Sequence, residues 1–316
     1  MPLPLIIVLS VVLGLIVIIL IISLFVYFAI FYSPNKYQKR DGDFPDATTY
    51  SGRYNEVVDL IEKLRNEPCE DVYIKSFDKV MLRGRYYHQD DNAPLAICFH
   101  GYRGTPIRDF CGGYQILKEK GFNVLLIDER AHLKSGGHTI TFGVKEAKDG
   151  LCWIDYAINR FGKDIKIILV GISMGGYTVG NIIINNELPN NVKGAILDCP
   201  YHSPKEILKT SCIRDLHVPW WIGSPILNIA SRLYGHFSFT NKKNNLKGKK
   251  SHVDFIVIHG DKDSIVPCEF SEYLIEGNPK SKRYVFPDAD HGMSYLVDKD
   301  KYKECCVNFV NECLND

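Results

Sequence analysis

The sequence predicts an α/β protein: a mostly parallel, doubly wound sheet with helices on both faces, preceded by one transmembrane helix. Three observations carry that reading. Short apolar, β-branched runs alternate with helix-length stretches along residues 70–316. Of the first 32 residues, 27 are hydrophobic, whereas the remaining 284 are about 42% hydrophobic, an ordinary value for a globular body. The charges balance, with 38 basic against 37 acidic side chains and a net charge of +1, which argues against a dedicated nucleic-acid binder.

The apolar end comes first. Between Leu3 and Tyr32 there is no charged side chain, and the interruptions are Pro4, Ser10, Gly14 and Ser23. A helix of that length spans about 45 Å, against about 30 Å of bilayer hydrocarbon, so it can cross with tilt. A cleavable signal peptide fits poorly, because a basic n-region and a small-x-small cleavage site are missing and the apolar run is about twice too long. Tyr27, Phe28, Phe31 and Tyr32 cluster at the end of the run like an interfacial aromatic belt. Lys36, Lys39 and Arg40 follow, so the positive-inside rule places the body in the cytoplasm as a single-pass membrane protein. The ten cysteines agree: Cys98, Cys152 and Cys199 sit in apolar runs, Cys305, Cys306 and Cys313 suit helix packing, and no C-x-x-C pair occurs.

Residues 1–32 are thus expected to be an anchor, 33–69 a tether with an amphipathic helix, and 70–316 one α/β domain. The helix is read from Val57, Leu60, Ile61 and Leu64 at i, i+3, i+4, i+7, with Pro68 ending it. Val72–Phe77 and Val80–His88 predict a hairpin. Buried strands are expected at Leu95–Phe99, Val124–Ile127, Ile165–Val170, Ala195–Asp198 and Phe255–Ile258, each followed by a helical stretch. A last strand at Tyr284–Phe286 precedes a final helix near Tyr302–Leu314. More than fifty residues separate Asp198 from Asp254, far beyond a plain crossover, so residues of about 202–250 form an insertion. It holds Pro219-Trp220-Trp221, a helical stretch over Ile226–Tyr234, and five lysines (Lys242, Lys243, Lys247, Lys249 and Lys250).

Gly171-Ile172-Ser173-Met174-Gly175 matches G-x-S-x-G, a weak pattern by itself. Its setting strengthens it. Ile167-Ile168-Leu169-Val170 is a buried strand directly before, and a helix can start directly after. A strand–tight turn–helix junction forces the serine into a strained conformation and lifts its hydroxyl clear of the sheet. The glycines are needed because side chains there would collide with the neighbouring strand and helix.

With the serine turn, four further ordered motifs are present: His100-Gly101-Tyr102-Arg103-Gly104; Asp128-Glu129-Arg130-Ala131-His132; His259-Gly260-Asp261-Lys262-Asp263 with Val266-Pro267; and Asp290-His291-Gly292. Together they resemble the α/β-hydrolases, in particular the membrane-anchored bacterial type related to serine aminopeptidase-like and acylglycerol-lipase-like hydrolases. The resemblance covers nearly all of residues 70–316. It implies the α/β-hydrolase fold and the chain order serine, acid, histidine, which selects His291 as the base beside Ser173. A serine hydroxyl is a poor nucleophile until an imidazole takes its proton, and a carboxylate fixes that imidazole's tautomer. The resembled pattern H-G-x-x-D-x-x-V-P points to Asp263 as the acid; Asp261, as a turn former, and Asp198, at the end of the preceding strand, remain alternatives.

The resemblance also implies an oxyanion hole made by the backbone N–H groups of Tyr102 and Met174, so Met174→Ala is expected to be nearly silent. It assigns loop ordering to Arg130 and His132; His100 and His259 each end a strand beside a glycine and are expected to support loop backbone. The insertion would form a lid, with Trp220 and Trp221 lining an acyl pocket, although packing within the lid is an equal reading. The lysine run is either a solvated loop or faces an anionic leaflet. The expected activity is hydrolysis of carboxylic esters, acylglycerols among them, through an acyl-enzyme, on an acyl or lipid-like substrate at the bilayer and without metal or organic cofactor. Thioesterase, peptidase or acyltransferase chemistry would use the same machinery, and a catalytically silent scaffold is the alternative from another class.

Overall fold

The computed structural model describes residues 2–33, 50 and 52–315. Lys36, Lys39 and Arg40, on which the orientation rests, and nearly all of the expected tether lie outside the described residues. The chain begins with α1 (Leu3–Val26), continued by a π-helical turn over Tyr27–Phe31. Its side chains are apolar all round, so no stripe distinguishes a core-facing side, and the Leu3–Phe31 stretch is long and apolar enough to cross a bilayer.

The body follows in the alternating order that the sequence predicts. After α2 (Tyr54–Arg65) come β1 (Glu70–Lys75), β2 (Met81–Tyr87) and β3 (Leu95–Phe99), then α3 (Pro106–Glu119), β4 (Asn123–Ile127) and α4 (Glu146–Phe161). Next are β5 (Ile167–Ile172), α5 (Met174–Asn185) and β6 (Val192–Asp198). The insertion carries α6 (Pro204–Arg214), α7 (Trp220–Ile229), a π-helical turn (Ala230–Tyr234) and a 3-10 turn (Lys242–Asn244). The chain closes with β7 (Phe255–Gly260), α8 (Glu272–Ile275), β8 (Lys282–Phe286), α9 (Ser294–Val297) and α10 (Lys299–Asn315).

The eight strands form one sheet in the order β1-β2-β4-β3-β5-β6-β7-β8. β2 runs antiparallel to both β1 and β4, and the other neighbours are parallel. This is the α/β-hydrolase fold, with a hairpin entering a parallel sheet. A right-handed crossover into a parallel neighbour needs a helix, which explains why each of β3 to β7 is followed by one. Two core layers sandwich the sheet. One contains Trp153 and Ile154 of α4, much of α5, Leu227 of the insertion, and Tyr27 and Phe31. The other contains the apolar face of α2 with Phe110 and Leu117 of α3 and Phe309 and Val310 of α10. Thus α2, grouped with the tether on sequence, buries Val57, Leu60, Ile61 and Leu64 in the body.

Two local differences matter for the site. β5 runs to Ile172 rather than stopping at Val170, so the strand delivers Ser173 with no intervening linker. Between β4 and α4 the chain is irregular for 18 residues, and ion pairs hold it: Arg83 to Asp128 at 3.1 Å, and Arg130 to Asp149 at 2.6 Å and Asp78 at 3.0 Å. Arg130 therefore orders this loop, as expected.

Candidate active site

Ser173 stands between β5 and α5 with φ 57° and ψ −114°, a backbone conformation that a side-chain-bearing residue adopts only when its surroundings impose it. The surroundings do. Ser173 N donates to the Asp198 carbonyl at 2.8 Å, and Tyr177 N donates back to the Ser173 carbonyl at 3.0 Å. A Cβ at Gly175 would be driven into the Phe99 carbonyl, and one at Gly171 into the Gly175 carbonyl. The glycines are thus required by close approach of β3 and of the turn to itself.

His291 reaches this serine from the loop after β8. Its Nε2 lies 2.9 Å from Ser173 Oγ, and its Nδ1 lies 2.7 Å from Asp263 Oδ2. Asp263 comes from the turn after β7, with no side-chain exposure. Its Oδ1 accepts from Ile265 N at 2.9 Å and Val266 N at 2.7 Å, which fixes the carboxylate plane. His259 adds a second imidazole, its Nε2 lying 3.1 Å from Asp263 Oδ2 and 3.1 Å from the Val266 carbonyl. Burial alone would raise the Asp263 carboxyl; the hydrogen bonds from His259 and His291 outweigh it and hold the group well below the usual carboxylate range. Sequence reasoning gave His259 only backbone support. Its i, i+4 spacing to Asp263 across the tight turn was the available signal.

The two alternative acids do other things. Asp261 Oδ1 accepts Asp288 N at 2.7 Å and ties the two loops together. Asp198 is buried, with Oδ2 accepting the Tyr302 hydroxyl at 2.8 Å and Oδ1 without a partner among the described residues. Burial pushes its carboxyl up to about 6, against the Tyr302 hydrogen bond that lowers it. Asp290, beside the histidine, accepts both Ser264 N at 2.8 Å and His291 N at 2.7 Å, pinning the His291 loop to the Asp263 loop.

The loop after β3 faces the serine: a Cβ on Gly101 would lie 3.4 Å from Ser173 Cβ. Its amides are almost all committed. Gly101 N donates to Asp109 Oδ2 at 2.8 Å, Arg103 N to His132 Nε2 at 3.1 Å, and Gly104 N to the Gly101 carbonyl at 2.9 Å. Among the described residues no acceptor takes the Tyr102 N–H. Met174 N–H is likewise open at the first turn of α5, where helix geometry leaves amides unpaired. His132 and His100 are buried and held below the ordinary imidazole value by that burial. They are therefore neutral, and each Nε2 accepts a backbone amide, His100 taking Glu129 N at 3.1 Å. Asp109 and His132 thus order the loop; His132 was singled out on sequence, whereas Asp109, eight residues along the chain from Gly101, lies in no motif that marks it. The side chain of Met174 is fully buried in the core, so plain packing holds beside any backbone role.

A cavity of about 510 Å³ opens at Ser173 and His291 and runs into the layer between the sheet, α3 and α10. Its lining is largely apolar or aromatic, with Phe110, Ile116, Leu117 and Tyr295, and includes Arg108, Asp109 and Asp198. Trp220 and Trp221 do not line it. Trp220 packs on the opposite core layer and Trp221 is 76% exposed, because α7 lies alongside α1 rather than over the serine. In the lysine run, Lys247 Nζ sits 3.7 Å over the Tyr273 ring and Lys249 Nζ donates to Asn185 Oδ1 at 3.2 Å, so two of the five lysines are held by the body. Cys199, Asp263 and His291 present ligand-type atoms within 4.8 Å of one another. Burial raises the Cys199 thiol well above its ordinary value.

Comparison with known proteins gives the family and the fold. Residues 110–316 match the prolyl oligopeptidase family. An uncharacterized protein of Bacillus subtilis (strain 168), YqkD, is 24% identical over 236 residues, spanning 74% of this chain and 76% of that protein. The uncharacterized protein YfhR of Escherichia coli (strain K12) is 26% identical over 207 residues, 63% of this chain and 64% of its own length. Among solved structures, the Pyrococcus furiosus esterase Pf2001 superposes with a TM-score of 0.60 at 24% identity, covering 80% of this chain and 95% of that one. Est1E of Butyrivibrio proteoclasticus, solved with bound ferulic acid, gives 0.57 at 20% identity, with 78% and 100% covered. The chain is a hydrolase of the α/β-hydrolase fold and belongs to the prolyl oligopeptidase family.

Proposed function

We propose that Ser173, His291 and Asp263 are the catalytic triad of a membrane-anchored serine hydrolase that cleaves carboxylic esters, acylglycerol-like lipids included. The observation that carries the reading is the unbroken relay from Ser173 Oγ to His291 Nε2 at 2.9 Å and from Nδ1 to Asp263 at 2.7 Å, on a serine held in a strained turn. In this scheme Ser173 Oγ attacks the acyl carbonyl while His291 Nε2 takes its proton. Asp263 keeps the other ring proton on Nδ1 and stabilises the imidazolium that forms. The developing oxyanion receives the open N–H groups of Tyr102 and Met174. The imidazolium returns its proton to the leaving alkoxide oxygen, and a water activated by His291 then hydrolyses the acyl-enzyme.

The apolar lining of the cavity supports an acyl group as the bound portion. The length of α1 supports anchoring, and the basic residues Lys36, Lys39 and Arg40 after it support a cytoplasmic body. The lysine run would add attraction to an anionic leaflet, of about 1 kcal/mol per residue near the surface. The names of the esterases that superpose fit the same reading.

Peptide-bond hydrolysis is the second reading. The family description favours it, and so does one observation: Asp198 Oδ1, buried at the cavity wall without a partner among the described residues, would accept an N–H of an amide or amine substrate. A fluorophosphonate probe on the wild type, Ser173→Ala and His291→Ala tests the triad. Labelling is expected in the wild type, none in Ser173→Ala, and a greatly reduced rate in His291→Ala. A folded wild type that resists labelling refutes the triad, and turnover of aminoacyl anilides but not p-nitrophenyl esters selects the second reading.

A further inference from the structure

The described end of the apolar helix does more than lead into the body. Helices leave their last carbonyls without intrahelical partners. Here those of Ala29, Ile30 and Phe31 are met by the body: Arg103 Nη2 donates to the Ala29 carbonyl at 2.8 Å, the Tyr102 hydroxyl to the Ile30 carbonyl at 2.7 Å, and Ile140 N to the Phe31 carbonyl at 2.8 Å. Two of these three caps come from the loop that faces Ser173. A guanidinium at a helix C-terminus is also favoured by the helix dipole.

The seat is tight. Phe31 is fully buried, edge-on to Phe142 at 5.8 Å and Phe237 at 5.3 Å, while the Tyr102 ring stacks on the same Phe142 at 5.0 Å. Ser33 N donates to the His138 carbonyl at 2.9 Å, and the Tyr27 hydroxyl meets Thr139 Oγ1 at 2.8 Å. Arg103 itself carries φ 51°, a conformation that must be held by its contacts.

We propose that the end of the apolar helix is a positioning part of the active site: by seating the side chains of Tyr102 and Arg103, it fixes the Tyr102 N–H against the serine, and turnover depends on that seating. The inference rests on the triad reading above. Tyr102 and Arg103 side chains act here through the backbone, so their loss misplaces a donor without removing it. A misplacement of about 1 Å costs on the order of 10²-fold in rate, and loss of one donor costs about 10²–10³-fold.

The test uses the full-length protein in detergent and in vesicles, comparing wild type with Tyr102→Phe, Arg103→Gln and the double variant, plus Arg103→Lys. Fluorophosphonate labelling rate, kcat and KM on a p-nitrophenyl ester, and Tm are measured. The double variant is expected to lose about tenfold or more in labelling rate and kcat with KM changed less than about twofold. Arg103→Lys, which can still reach a carbonyl, recovers part of the loss. A labelled wild type together with a double variant at wild-type kcat overturns this inference alone. So does a kcat loss that merely tracks the unfolded fraction. Failure of the wild type to label overturns both this inference and the triad.

Discussion

Asp263→Asn tests the triad most sharply, because the surroundings of the side chain decide which way the amide points. The carboxylate receives two amides on Oδ1, from Ile265 and Val266, and two imidazoles at Oδ2. An asparagine has one oxygen. Turned toward the two amides, it presents its NH2 to His291 Nδ1, which forces the tautomer with the proton on Nε2. That nitrogen then donates to Ser173 instead of accepting its proton. Turned the other way, the NH2 faces two backbone N–H groups, and each unmet buried donor costs about 1–3 kcal/mol. The first orientation wins, and with it the wrong tautomer. The same change in a serine-protease triad lowers kcat by about 10⁴, or about 5 kcal/mol of transition-state stabilisation. A loss of about 10³–10⁴ in kcat with KM nearly unchanged is therefore expected. The assay is steady-state turnover of a p-nitrophenyl ester, with fluorophosphonate labelling as a check that does not depend on substrate choice. Activity within about tenfold of wild type would refute the assignment of Asp263.

Gly175→Ala places a methyl in the Phe99 carbonyl and should destabilise by about 3 kcal/mol, read as a fall in Tm and in labelling together; an unchanged Tm contradicts the tight-turn argument. Met174→Ala should keep kcat, because the proposed mechanism uses only its backbone N–H, yet lose about 2–5 kcal/mol of stability through the cavity it leaves. A denaturant titration that shows no loss contradicts the packing. Asp198→Asn has a pH signature. Burial raises the folded-state carboxyl to about 6, so the stability it contributes is fully present below the unfolded value of about 3.9 and is lost as pH rises through about 6. The asparagine variant should accordingly gain on wild type between about pH 4 and about pH 7.5, by at most about 3 kcal/mol, and a difference independent of pH excludes the buried-carboxyl account.

The strands were legible because a parallel sheet covered on both faces needs short runs such as Leu95–Phe99 and Phe255–Ile258, apolar throughout. The serine turn was legible for a related reason: close approach demands glycine at fixed spacing. Asp263 and His291 needed the family resemblance, which supplied the H-G-x-x-D-x-x-V-P pattern for the one and the chain order for the other. What stayed hidden are contacts between segments far apart in sequence. Nothing in Tyr102 announces Ile30 as its partner, because that contact depends on segments that meet only after the sheet has assembled. Trp220 and Trp221 show the opposite failure. Large apolar side chains in an insertion suggest a pocket wall, but α7 packs against α1 and leaves Trp221 in the open.

The docking of residues 29–33 on the loop at Tyr102 has a geometric consequence. With α1 across a bilayer, the domain is not a bead on a flexible string; its catalytic face keeps one height and one attitude relative to the leaflet. So anchored, the enzyme would search in two dimensions, with rotation left only about the membrane normal. Molecules dissolved in or resting on that leaflet would then meet the serine at high local concentration, whereas bulky soluble chains would have to approach along the membrane plane.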